Sequence, residues 1–98
     1  MAVGDFTINA SSKVSLGNAT MISGTAEIGT GAATIAVLPN SYIVNFAFQH
    51  NREDEDVTAL RVHVNSSDFT GTVANGSVHA KTLGGHLDDE WDWTAVYI

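Results

Sequence analysis

The residues best able to do chemistry in this chain are its carboxylates and its histidines. Glu53, Asp54, Glu55 and Asp56 form one acidic run, and Asp88, Asp89 and Glu90 form a second. Clustered carboxylate oxygens suit hard cations such as calcium or magnesium. The first run lacks the alternating ligands and the central glycine of a calcium loop. Three readings therefore stand for it: a cation site, a solvated loop between strands, or an acidic docking loop for a basic partner surface. We carry Glu53, Asp54, Glu55 and Asp56 forward as a docking loop and expect no metal or other cofactor. The second run precedes a tryptophan-rich segment, where charge blocks edge-to-edge strand pairing. Paired carboxylates can also hydrolyse glycosides, but nothing in the spacing fixes a separation between two of them. His50, His63, His79 and His86 follow no metal-ligand motif such as H-E-x-x-H. His63 and His79 can fall on adjacent strands, and outward polar positions or subunit contacts account for all four. There is no G-x-S-x-G elbow and no glycine-rich phosphate cradle. No catalytic residue is nominated, and the chain is not expected to be an enzyme.

These side chains must be held by a small scaffold. The chain has 98 residues, enough for one domain, 1–98. Eleven acids against four bases give a net charge of −7. Lys13, Arg52, Arg61 and Lys81 do not form the basic patch that nucleic acid requires, and anionic membranes are disfavoured on the same ground. No stretch approaches the ~20 apolar residues of a membrane-spanning helix. The first ten residues show neither a basic region nor a long apolar run, so no secretory leader is expected. With no cysteine there is no disulfide framework, which suits a reducing cytoplasm.

The hydropathy pattern has a period of two. In 58–64, Thr58, Leu60, Val62 and Val64 share one face while Arg61 and His63 take the other. That is a half-buried strand. Phe6 with Ile8, and Val14 with Leu16, mark two more strands. Tyr42, Val44, Phe46 and Phe48 are expected on one face of another. Pro39-Asn40 signals a turn, and Asn75-Gly76, between Val73 and Val78, is the strongest hairpin signal in the chain. A helix across 54–60 is the competing reading of its segment. β-Branched residues and strict alternation from Thr58 oppose it. About seven or eight strands at ten-residue intervals predict an all-β, single-domain antiparallel β-sandwich or small, jelly-roll-like barrel.

The segment 88–98 decides what that scaffold is for. Trp91, Trp93, Ala95 and Tyr97 point one way; Asp92, Thr94, Val96 and Ile98 point the other. Each tryptophan brings ~150–250 Å² of area to bury. Together with Phe46, Phe48, Leu60, Val62 and Phe69, Trp91 and Trp93 are the expected core anchors. If exposed, Trp91, Trp93, Tyr42 and Tyr97 would instead make a sugar-stacking platform. A strand ending in such apolar residues is an aggregation template unless it is internal or covered. Cover by a second subunit is the favoured reading for Val96 and Ile98. Phe6, Ile8, Val96, Tyr97 and Ile98 are accordingly the candidate partner or oligomer interface.

At this point the chain resembles a family. "GDFTINASSKVSLGN" followed by "MISGTAEIG" resembles the start of small virion proteins of tailed bacteriophages, especially head-decoration proteins. "VTALRVHVNSSDFTGTV" and "DDEWDWTAVYI" resemble a β module of phage virion and tail-associated proteins, through Ser66, Ser67, Phe69, Thr72, Val73, Trp91, Trp93 and Ala95. The final pattern also resembles the H-type lectin-like fold, although no ligand residue matches position by position. The decoration resemblance implies a structural protein that binds and cements the outer surface of a phage capsid. It further implies a homotrimer whose partners are itself and the major capsid protein. The protein would be made in the host bacterial cytoplasm and located on the virion, with residues 1–9 as an extended arm. The alternative is a receptor- or glycan-binding β module of a tail or head fibre.

Overall fold

The computed structural model describes residues 5–28, 33–36, 38, 40–50, 59–83 and 89–98. Among them all regular structure is strand, and every pairing between strands is antiparallel. Six strands have eight residues or more: β1 (Phe6–Leu16), β2 (Ala19–Ile28), β4 (Ile43–His50), β5 (Ala59–Ser66), β6 (Val73–Leu83) and β7 (Asp89–Tyr97). A seventh, β3 (Ala33–Ala36), has four. They form a four-stranded sheet in the order β1-β2-β7-β4 and a three-stranded sheet in the order β3-β6-β5.

β7 therefore lies between β2 and β4, and its backbone is paired along both edges. Of the two alternatives for this segment, an edge internal to the sheet or an edge covered by a second subunit, its backbone takes the first. The two neighbours satisfy its N–H and C=O groups, which a buried strand requires. Beyond β7, Ile98 still exchanges two backbone hydrogen bonds with Tyr42, at 3.0 and 3.2 Å.

One cluster of buried side chains joins both sheets. Ile22, Ala26 and Ile28 enter from β2, Ile43 from β4, Val78 and Ala80 from β6, and Trp91, Trp93 and Ala95 from β7. Phe46, Phe48, Leu60 and Val62 pack against it, half-buried. The alternation read for β5 and β7 thus puts these side chains on the core side. Trp93 is the centre, 1% exposed, with the Phe6 ring stacked at 4.4 Å and the Phe46 ring at 5.7 Å. Its indole Nε1 donates to the Thr25 carbonyl at 3.2 Å. Across the sheet from Trp93 stands Gly24. A Cβ there would lie 2.7 Å from Trp93 Cζ2 and would collide with the Thr7 carbonyl oxygen. Only a glycine lets the indole lie flat on β2.

Two expectations fail for one reason, which is that bulges break the period of two. In β4 the register shifts between Ile43 and Asn45. Ile43, rather than Val44, turns inward at 2% exposure, while Tyr42 and Val44 are 50% and 58% exposed. The expected face Tyr42, Val44, Phe46, Phe48 is therefore split at its start. In β6, Asn75-Gly76 makes no hairpin, because both residues lie inside the strand. Val64 pairs with Val78 and Ser66 with Val73, so residues 74–77 bulge opposite Asn65. Gly76 takes φ 82°, and a Cβ there would strike the Leu38 carbonyl oxygen. The left-handed conformation that an Asn-Gly pair favours serves a bulge here instead of a turn.

Asn65 pins this region, itself at φ 56°. Its Oδ1 accepts from the N–H of Ile43 at 2.9 Å and of Gly76 at 3.2 Å, and its Nδ2 donates to the Ile43 carbonyl at 2.9 Å. One amide thus ties the bulge of β6 to the start of β4, linking the two sheets. The turn expected near residue 40 is present: Ser41 N–H donates to the Leu38 carbonyl at 3.2 Å, with Asn40 at φ 64°.

Candidate functional site

Strand pairing on the four-stranded sheet sets up an outward face as well as a core face. Antiparallel partners share a face, so Val14, Met21 and Val96, paired in succession across β1, β2 and β7, form one outward row. Val14 is 44% exposed; Met21 and Val96 are half-buried. Leu16 and Ile98, at 47% and 60% exposure, lie toward the same end of the sheet. β1 is an edge strand, and most of its residues are exposed. Farther along the face, Thr7, Asn9, Ser23, Thr25, Asp92 and Thr94 line an open cleft of about 490 Å³. The face therefore pairs an apolar end with a hydroxyl-rich, polar hollow.

The five residues expected at a partner interface divide by face. Phe6 stacks on Trp93 and Tyr97 packs against the core. Val96 sits in the apolar row and Ile98 lies beyond it, whereas Ile8 pairs with Gly24 on the Trp93 face, at the sheet margin, with 43% exposure. Residues 6–9, expected as part of an arm, pair with β2 through Phe6–Ala26 and Asn9–Ser23. Trp91 and Trp93 lie in the core at 7% and 1% exposure, so they offer no stacking platform for a sugar. The acidic docking loop Glu53, Asp54, Glu55 and Asp56 lies outside the described residues, as do Arg52, His86 and Asp88.

The other sheet carries a cluster that sequence reasoning only half anticipated. Among the expected core anchors, Phe69 is the exception, since it lies on the outward side of β5 and β6. The Arg61 guanidinium carbon is 4.8 Å and the Lys81 ammonium 5.2 Å from its ring centroid. The rings of His63 and His79 meet it edge-on at 5.0 and 4.3 Å. The register explains the convergence: Arg61 pairs with Lys81 and His63 with His79. The adjacency expected for the two histidines is thus present, and His79 is 9% exposed. Like charges directly opposite destabilise a sheet, and each cation–π contact returns about 0.5–1 kcal/mol at an exposed site. Among the described residues, Phe69 meets both members of the pair. Its role was missed because an aromatic after Ser-Ser reads as core; the cross-strand bases Arg61 and Lys81 were the available signal.

A tight loop fixes Phe69 in place. Ser66 Oγ donates to the carbonyls of Asp68 at 2.8 Å and Thr72 at 3.1 Å. Asp68 Oδ1 accepts from the N–H groups of Thr70 at 2.9 Å and Thr72 at 3.1 Å. The Thr72 hydroxyl and these N–H groups hold the Asp68 carboxyl well below the usual carboxylate range, because they bond its charged form.

Among the described residues no set of three or more His, Cys, Asp or Glu side chains is grouped to hold a metal ion, and no helix is long and apolar enough to cross a membrane. The class of protein that the fold defines is an all-β protein of antiparallel sheets. Compared with known protein families, curated proteins and solved structures, the chain matches none.

Proposed function

We propose that this chain is a structural association module whose scaffold is a β-sandwich, and that it decorates the outer surface of a phage capsid as a homotrimer seated on the major capsid protein. The reading of two stacked layers is supported by the shared core and by a shortest dimension of 19 Å. That is the thickness of two sheets about 10 Å apart with their side chains. The observation that carries the association is the row Val14–Met21–Val96, flanked by Leu16 and Ile98, beside the long exposed edge of β1. Exposed edges and apolar rows of this kind are where β proteins join other chains. A small module repeated over a lattice gains avidity from many weak contacts.

Light scattering on the purified protein tests the first half, with a trimer mass expected across micromolar concentrations. Val14→Asp is expected to release monomers of unchanged circular dichroism. Co-sedimentation with undecorated capsid shells tests the second half. A wild-type protein that stays monomeric and leaves the shells bare defeats the proposal.

The polar cleft favours a second reading, a glycan-binding module. Hydroxyl, amide and carboxylate groups are what a sugar's hydroxyls bond, and Thr7, Asn9, Ser23, Thr25, Asp92 and Thr94 supply them. Saturable glycan binding that is abolished by Asp92→Ala would favour it over decoration.

A further inference from the structure

The Phe69 cluster belongs to neither face of that proposal. Arg61 and Lys81 are two of only four Lys and Arg residues in a chain of net charge −7, yet they are placed directly opposite each other on neighbouring strands. Among the described residues both meet an aromatic ring and neither is bonded to a carboxylate. The carboxylate nearest in sequence to Phe69, Asp68, is committed to the N–H groups of its own loop. That loop is cross-braced through Ser66, so Phe69 is positioned before any ligand arrives. Four nitrogen-bearing side chains, Arg61, His63, His79 and Lys81, thus gather round one ring.

Guanidinium offers a rigid fork of donors, ammonium a mobile point charge and the half-buried His63 imidazole an N–H. Several donors gathered on one face of two adjacent strands suit a group with three or four acceptor oxygens better than the two of a carboxylate. An apolar ring beside them limits water and strengthens each bond. The geometry points to an oxyanion site: Arg61 and Lys81, with His63 and His79 beside them, bind a phosphate or sulfate group against Phe69. The group comes either as the free ion or as an ester on a sugar, and the chemistry recognised is the same.

The full chain, labelled with nitrogen-15, is titrated with inorganic phosphate and in parallel with glucose 6-phosphate. Sodium chloride at matched ionic strength is the reference. Saturable amide shifts at Arg61, Phe69 and Lys81 are expected in phosphate, with none in chloride. Arg61→Gln and Lys81→Gln, made singly so that the fold is kept, are each expected to weaken binding at least tenfold, while Lys13→Gln leaves it unchanged. Tighter binding of the sugar ester identifies the ester as the source, and equal or weaker binding identifies the free ion. Shifts that do not saturate, that chloride reproduces, or that persist undiminished in both single variants overturn the proposal.

Discussion

Trp93 and Phe69 are each surrounded by flat side chains, yet they are built in opposite ways. Around Trp93 the neighbours are Phe6, Phe46 and the bare backbone at Gly24, drawn from β1, β4 and β2. Around Phe69 the neighbours are bases on two adjacent strands, and a seven-residue loop, 66–72, supplies the ring. The first cluster is long-range, dry and bound up with the fold. The second is drawn from two neighbouring strands and the loop that joins them, and it is charged. Burial separates them: Trp93 is 1% exposed, whereas Phe69 is only half-buried. An aromatic residue is thus no guide to a core until the register of its neighbours is known.

The sharpest break of that contrast is a truncation at each centre. Trp93→Ala is expected to cost about 3–5 kcal/mol, the range for large aromatics in cores. A domain of this size has about 5–15 kcal/mol in total, so urea midpoints will fall steeply or the chain will not fold. Asn65→Ala comes next. It leaves the N–H groups of Ile43 and Gly76 without their acceptor and is expected to cost about 1–3 kcal/mol. Phe69→Ala should cost about 1–2 kcal/mol, the loss of two surface cation–π contacts at about 0.5–1 kcal/mol each. If urea denaturation finds Phe69→Ala as damaging as Trp93→Ala, the division into a core cluster and a surface cluster fails.

Two smaller effects sharpen the contrast. Glu27 pairs directly with Glu90 across β2 and β7, as Arg61 does with Lys81 across β5 and β6. Glu27→Gln is expected to raise stability by a few tenths of a kcal/mol by removing a like-charge neighbour, read as a higher urea midpoint at low salt. The last effect is one of pH. Bonding to the charged form depresses the Asp68 pKa in the folded state. Its contribution is therefore complete above the ordinary value of 3.8 and declines as pH falls below it. Thermal melts from pH 5 to pH 2 should show an acid-side loss that Asp68→Asn lacks; parallel melting curves for the two proteins would contradict this.

How much of this was legible in the letters depends on where the period of two survives. It runs unbroken through Leu60 and Val62 and through Trp91, Trp93 and Ala95, and there the inward faces were readable. It breaks at Val44, where one residue of bulge exchanges Val44 for Ile43 as the buried side chain. No local signal marks that bulge, because the amide that pins it, Asn65, is twenty-two residues away. Asn75-Gly76 misled for a related reason. The pair states a backbone conformation, and only contact with Leu38 and Asn65 decides whether that conformation becomes a turn or a bulge. The outward row Val14–Met21–Val96 was beyond reach, since its members meet only through the strand order. Of the residues expected at a partner face, Val96 joins that row, whereas Phe6 was drawn inward by the indole it stacks upon.

The position of β7 between β2 and β4 has a consequence in time. Ile22 meets Ala95, and β4 joins the sheet only through that same strand. A ribosome must therefore have released residues 89–97 before the larger sheet can close, and the β1–β2 hairpin must wait with its inner face bare. Pairings this distant fold slowly, in milliseconds to seconds. The newly made chain thus passes through an interval in which Phe6, Ile22 and Ile28 are open to any neighbour, a stage at which exposed apolar surface favours aggregation.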